Sequence, residues 1–316
     1  MPERTEPTDD PSSALARDVA AFLSVLAHQR RASANTVAAY GRDLAQLVAF
    51  AGKNRPAPLT VASIDIALLR GWLGQLARTH APPSVARKIS SVRAFLRHLR
   101  RTGRVTADPS RGLALPKSRR RLPKVVNVDA AAQIVTAFDG DDPRSLRNRA
   151  ILELLYGSGL RVGEVVGLDV RDVDLASGEA RVVGKGSKER VVPLGGEAIE
   201  ALRAWLADQP KRGPGDPLFA SPRARRLTTR TVQTIVKKAG MLGAGRGDLH
   251  PHALRHTCAT HMLDGGADLR AIQEMLGHAS LQTTQRYTHV SMEQILRAYD
   301  KAHPLAKEPL AKDGAA

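Results

Sequence analysis

The chain is 316 residues long, enough for two domains and a sizeable core. Its formal net charge of +17 exceeds what solubility requires and recruits polyanions, with nucleic acid the leading partner and no apolar run near the roughly 20 residues of a membrane span. Aromatic residues make up only 3%, which argues against base-stacking platforms for RNA or single strands and favours duplex DNA held by its phosphates.

Residues 1–13 are polar and partly acidic, unlike a signal or transit peptide, and predict a disordered tail. Residues 14–104 read as a helical domain. Val19, Phe22, Leu23 and Leu26 give one apolar face, Val37, Tyr40, Leu44, Leu47 and Val48 a second, and Ile66, Leu69, Trp72, Leu73 and Leu76 a third. From Ser84 to Arg101, Val85, Ile89, Val92, Leu96 and Leu99 form a helical seam, and Arg93, Arg97, Arg100 and Arg104 repeat beside it. Between Arg78 and Arg121 there are thirteen Lys/Arg against one acid, Asp108. Most charge runs are solvated faces, but those mix signs. The single sign here predicts that Arg93, Arg97 and Arg100 contact DNA backbone. Residues 105–123 carry three prolines and no helical period and read as a linker, whose Arg119, Arg120 and Arg121 extend the DNA contact.

A second domain is expected over 124–304, followed by a flexible tail at 305–316. Asn127-Val128-Asp129 precedes a helical pattern through Ile134, Val135 and Phe138. Asn148 to Tyr156 predicts an apolar helix ending at Gly157-Ser158-Gly159, and another helix runs from near Arg161 to Leu168. Two short strands, around Ala180–Val183 and Arg190–Leu194, flank a glycine-rich turn, and the remainder is mostly helical. The fold class is therefore mainly α with a small β-sheet.

Chemistry concentrates near the C-terminus. His252 and Arg255 stand three apart behind Pro251, a residue suited to a first helical turn, so they share a helix face. Leu276-Gly277-His278 follows, then Tyr287, nine positions after His278. Arginine clamps phosphate oxygens through its planar fork, imidazole moves protons near neutral pH, and a phenol can form a covalent link to phosphorus. Together these suit tyrosine attack on a phosphodiester without a metal. Arg161, after the glycine turn, is the candidate second phosphate clamp, with Glu164 one turn on to orient it. Lys185, at the tip of Gly184-Lys185-Gly186, is placed to protonate a leaving oxygen. Judged singly, Arg161 reads slightly better as a surface arginine, Lys185 better as a solvated hairpin cation, and Tyr287 far better as a packed residue. Two other chemistries fail on spacing. The glycines around Lys185 do not fit a phosphate-binding P-loop, and His250, His252, His256 and His261 lack both a His-Glu-x-x-His motif and, with Cys258 the sole cysteine, a second thiol. The lone cysteine also fits a reducing cytoplasm.

As a set, Gly-Ser-Gly-Leu-Arg, the Gly-Lys-Gly hairpin, Pro-His-x-Leu-Arg-His, Leu-Gly-His and Thr-Gln-x-Tyr-Thr-His resemble the tyrosine site-specific recombinases, within them the Xer group and its C-type members. The resemblance runs along nearly the whole chain. It implies a helical core-binding, SAM-like N-terminal domain and a mixed α/β catalytic domain that clamp DNA between them. It implies further that Arg161, Lys185, His252, Arg255, His278 and Tyr287 form the catalytic set. Tyr287 would be the nucleophile of a 3′-phosphotyrosyl intermediate, the two arginines and His278 would hold the phosphate, His252 would serve as acid/base, and Lys185 would protonate the 5′-oxygen. The bond energy stays in the phosphotyrosine, so no cofactor and no metal is expected. The implied partners are double-stranded DNA at a dif-like recombination site, a D-type Xer paralogue in a heterotetramer, and a septal DNA translocase of the FtsK type, in the cytoplasm. A phage or mobile-element integrase shares the chemistry, and an architectural DNA-binding protein is the non-enzymatic alternative. One departure stands out: Val162-Gly163-Glu164 has glycine where the family often has serine, and glycine within a helix costs about 1 kcal/mol relative to alanine. Finally, Met292, Ile295, Leu296 and Tyr299 form an apolar stripe expected to dock on a neighbouring protomer.

Overall fold

The computed structural model describes residues 13–28, 32–113, 125–184, 189–209, 211–276 and 305. Lys185, His278, Tyr287, Arg119, Arg120, Arg121 and the apolar stripe of 292–299 lie outside them. The chain divides into two compact units, Met1–Arg121 and Leu122–Ala316. Among the described residues no helix is long and apolar enough to cross a membrane.

The first unit contains α1 (Ser13–His28), α2 (Ala34–Asn54), α3 (Ile66–Thr79) and α4 (Pro82–Arg101). Local chemistry sets the helix starts. Ser33 caps α2 by accepting the Thr36 N–H, and Asp65 caps α3 by accepting that of Leu68 at 2.7 Å. Pro82 and Pro83 occupy the first turn of α4. The α4 seam of Val85, Ile89, Val92, Leu96 and Leu99 is buried throughout, against Phe22, Leu44 and Leu69. Lys88 is buried too. Its ammonium donates to the buried Asp43 at 3.0 Å and to Gln46, so this cation of the basic run is neutralised internally and fixes α4 on α2.

The basic stripe is not uniform. Arg97 and Arg100 are exposed, whereas Arg93 is half-buried and donates to the carbonyl of Leu113 at 2.7 Å. Leu113 is buried in this unit's core, and the 3-10 turn Pro109–Gly112 before it packs on α3 and α4. The first half of the expected linker is thus folded structure. Asp108 starts it by accepting from the Ser110 N–H at 2.9 Å, a cap that apolar periodicity does not reveal.

The second unit is mostly helical around a three-stranded antiparallel sheet. It contains α5 (Val128–Val135), α6 (Pro143–Tyr156), α7 (Val162–Gly167), β1 (Val173–Asp174), β2 (Glu179–Val183), β3 (Glu189–Pro193), α8 (Gly196–Ala207), α9 (Thr229–Ala244), α10 (Pro251–Asp264) and α11 (Leu269–Leu276). The strands lie in the order β1-β2-β3, with Ala180 opposite both Val173 and Val192. α5 starts where the helical pattern predicts, and Asn127 caps it by accepting the Ala130 N–H at 2.8 Å. α6 begins five residues earlier than its apolar pattern suggests, because Asp142 caps it and Pro143 opens its first turn. The expected pair of strands gains β1, too short to show an alternation. α6 and α10 are buried on most sides and pack on each other, so they form the buried frame against which α7 and its flanking turn are set.

The different settings of the α4 arginines lead to different outcomes on substitution. Arg97→Ala and Arg100→Ala are expected to make the salt dependence of duplex binding shallower by about 0.9 per lost phosphate contact, at unchanged melting temperature. Arg93→Ala lowers the melting temperature as well, because it releases Leu113. Unchanged salt slopes for Arg97→Ala and Arg100→Ala would make that face merely solvated.

Candidate active site

The site is built on a chain reversal between α6 and α7. The Leu160 N–H reaches back to the Leu154 carbonyl at 3.0 Å, and Gly159 takes a positive φ of 58°. Two constraints require glycine here: the left-handed backbone, and Leu276, whose Cδ2 would lie 2.7 Å from an added Cβ. The reversal places Arg161 at the start of α7, where its backbone N–H donates to Glu164 at 2.8 Å and its guanidinium to the same carboxylate at 2.9 Å. The local contact expected of an i,i+3 pair is therefore present, with an added partner from a distant strand. Arg190 of β3 donates to both oxygens of Glu164, at 2.7 and 3.0 Å, and to the Met275 carbonyl at 3.3 Å.

Glu164 is buried and joins two arginines. Burial pushes its carboxyl upward, but the hydrogen bonds from Arg190 and Arg161 outweigh that and hold it below the ordinary glutamate value. It is ionised at neutral pH.

α10 supplies the second half of the site. His250 caps it by accepting the Ala253 N–H at 3.1 Å, and Pro251 fills the first turn. Arg255 is 5% exposed and donates to the carbonyls of Gly159 and Leu276. Those two bonds join the reversal before Arg161 to the last residue of α11, directly ahead of Gly277-His278. Burial, with Arg161 nearby, pushes the Arg255 guanidinium down to about 10, so it remains charged at neutral pH. With five donors on a guanidinium, the two carbonyls leave further N–H groups for a ligand. His252 is exposed on the same helix. Partial loss of solvation and the charge of Arg255 lower it below the ordinary histidine value, which makes the imidazole neutral at pH 7 and able to accept a proton.

Of the six residues expected to carry catalysis, Arg161, His252 and Arg255 are described, and the structure gathers them around one reversal. They lie close enough for Arg255 and Arg161 to act on the charge of His252, and Arg161 on that of Arg255. His261, weighed above as a possible ligand, instead bonds the Tyr156 hydroxyl at 2.8 Å and the Val126 carbonyl at 2.9 Å inside the core. Gly163 faces open space, so the departure at this position leaves no internal void. Arg190 is the residue that sequence reasoning missed. In Lys188-Glu189-Arg190 it looks like one more hairpin charge, and its partner Glu164 lies 26 residues away.

Two family models match the chain: the phage integrase family over residues 124–294, and the phage integrase N-terminal SAM-like domain over 19–103. The protein named tyrosine recombinase XerC of Pelobacter propionicus is 45% identical over 295 residues, covering 93% of this chain and 98% of the relative. Its namesake in Azotobacter vinelandii is 44% identical over 292 residues, covering 92% and 97%. Among solved structures, XerH site-specific recombinase bound to difH substrate in a pre-cleavage complex matches with a TM-score of 0.68 at 20% identity, over 93% of this chain and 98% of that one. A lambda integrase dimer bound to a COC′ core site matches with a TM-score of 0.63 at 19% identity, over 87% and 99%. At these identities the two structures establish the shared fold.

Glu164→Gln removes the charge that balances Arg161 and the mostly buried Arg190. Breaking a buried pair costs about 3–5 kcal/mol, so a clear fall in melting temperature at pH 7 is expected. The sign with pH follows from the depressed carboxyl. Its stabilisation is present above the ordinary glutamate value of 4.5 and is lost as pH falls through the lower folded value. The gap between parent and variant should therefore narrow in acid. A gap independent of pH would mean that the carboxylate charge is not what holds the site.

Proposed function

Because the chain belongs to the phage integrase family, we propose that this tyrosine recombinase cuts and rejoins duplex DNA through a 3′-phosphotyrosyl intermediate. The observation that supports this reading best is the gathering of Arg161, His252 and Arg255 at the reversal after α6, with Arg255 bonded to the final carbonyl of α11. That carbonyl precedes the segment carrying His278 and Tyr287.

The reaction needs little beyond these groups. The Tyr287 oxygen attacks the scissile phosphorus as its proton leaves to a base, and neutral His252 is suited to accept it. Negative charge grows on the non-bridging oxygens, where Arg161 and Arg255, with His278, stabilise it. The phosphorus–oxygen bond to the 5′ side breaks, and Lys185 supplies the proton that leaves a 5′-hydroxyl. The phosphotyrosine conserves the bond energy, so a 5′-hydroxyl from a partner duplex reverses the step and exchanges strands through a Holliday junction without a cofactor. Arg97 and Arg100, together with Arg93 and Arg119 to Arg121, provide backbone contacts.

The XerC relatives, matched over almost their full length, support a finer role: conversion of chromosome dimers to monomers before cell division. In that role the chain acts in the cytoplasm on a dif-like site, in a heterotetramer with a D-type paralogue, under a septal translocase of the FtsK type. The 292–299 stripe would dock on the neighbouring protomer and govern when Tyr287 reaches the phosphate.

A suicide substrate tests the chemistry. Tyr287→Phe should bind the duplex and give no covalent adduct, whereas an adduct mapped to Tyr299 would overturn the assignment. Arg161→Ala should lose on the order of 10² to 10³ in cleavage rate. Lys185→Ala should be rescued by a 5′-sulfur leaving group, which needs little protonation. Failure of that rescue would move the acid role to another group, with Lys188 the nearest alternative in sequence.

A further inference from the structure

A second gathering of cations surrounds the opposite end of α6. A cavity of about 710 Å³ opens there, bordered by Pro143 and Pro217 and by Arg144, Arg147, Lys211 and Arg212. α6 is 14 residues long, so at about 1.5 Å per residue the cavity is on the order of 20 Å from the reversal that carries Arg161.

These charges are poorly balanced. Arg147 is only 8% exposed, and the acceptors it meets are neutral: Asn148 Oδ1 at 3.0 and 3.3 Å and the Ala220 carbonyl at 3.2 Å. Arg212 lies over the Trp205 ring at 5.1 Å and donates to Gln209 Oε1 and to the Pro217 and Leu218 carbonyls. Two carboxylates at the rim, Asp142 and Asp216, offset only part of the charge of the four cations, and they act on Arg147 and Arg212 through space. Asp142 caps α6 and accepts from the Ser145 hydroxyl, while Asp216 accepts the Gly213 N–H at 2.8 Å. Among the described residues neither Arg147 nor Arg212 forms an ion pair. A buried guanidinium held only by neutral oxygens is costly, and an entering anion offsets that cost. Burial and the neighbouring charges of Arg144 and Arg212 hold Arg147 below the ordinary arginine value. The planar forks suit the oxygens of a phosphoryl group. The volume lies within the roughly 300–1,000 Å³ of small-molecule sites.

We propose that this cavity binds a phosphate-bearing small molecule of about nucleotide size, with Arg147 and Arg212 taking phosphoryl oxygens inside and Arg144 and Lys211 at the rim. The site uses none of the residues assigned to strand exchange.

Pyrophosphate titrated into the full chain by calorimetry, with chloride adjusted to constant ionic strength, tests this. Trp205 emission gives a local report, because the other tryptophan, Trp72, belongs to the first unit. The expected result is saturable one-to-one binding that changes Trp205 emission. Combined substitution Arg144→Ala with Lys211→Ala, at exposed positions and with a parental melting temperature, should weaken it at least tenfold. Arg161→Ala should leave it unchanged. Absence of saturable binding, or equal affinity in the double variant, would overturn the site. Loss in Arg161→Ala would place the anion at the strand-exchange centre instead, and displacement by excess duplex would make the cavity part of the DNA surface. Either result would also overturn the proposal.

Discussion

The guanidinium of Arg255 is buried at the core of the second unit and donates to the carbonyls of Gly159 and Leu276, two segments far apart in sequence. A buried cation without hydrogen bonds is prohibitive, so these carbonyls and Arg255 fix one another. The geometry depends on Gly159, whose positive φ disfavours a side chain and where an added Cβ would press on the Leu276 side chain. Through this contact the reversal that presents Arg161 is held in register with the end of α11. The residue proposed to offer charge to a phosphate also joins these two segments.

Glu164 extends that frame. One carboxylate orients Arg161 from within its own helix and draws in Arg190, which in turn reaches the Met275 carbonyl. Two arginines thus end on consecutive carbonyls of α11, one directly bonded to the reversal and one linked to it by an ion pair. Preorganised cations of this kind need little reorganisation as charge develops on a substrate, which is where most of the benefit of such sites arises. Burial and the neighbouring cations hold His252 neutral, which leaves a ring nitrogen lone pair free to accept a proton.

Much of this was legible in the sequence because it is local. The three-residue spacing of His252 and Arg255 behind Pro251, the glycines before Arg161, the Asn127 cap and the α4 seam all report short-range geometry. The apolar period alone missed the start of α6, although Asp142-Pro143 marks it chemically. The turn at 109–112 escaped because three prolines and basic residues resemble a linker, while its anchoring depends on burial of Leu113. Arg190 was invisible for a deeper reason. Nothing near it in sequence distinguishes a solvated hairpin charge from one that folding places against Glu164. The same holds for the burial of Arg255, whose local pattern fits a surface arginine equally well.

Hydrogen exchange combined with single-turnover cleavage on Arg255→Lys separates bridging from charge. Lysine retains the cation but loses the planar fork that spans two carbonyls. The expected result is a joint loss of protection in residues 157–161 and 269–276, with cleavage slowed at least a hundredfold and duplex binding nearly unchanged. Slow cleavage with parental protection in both segments would contradict the account, because Arg255 would then act on the phosphate alone.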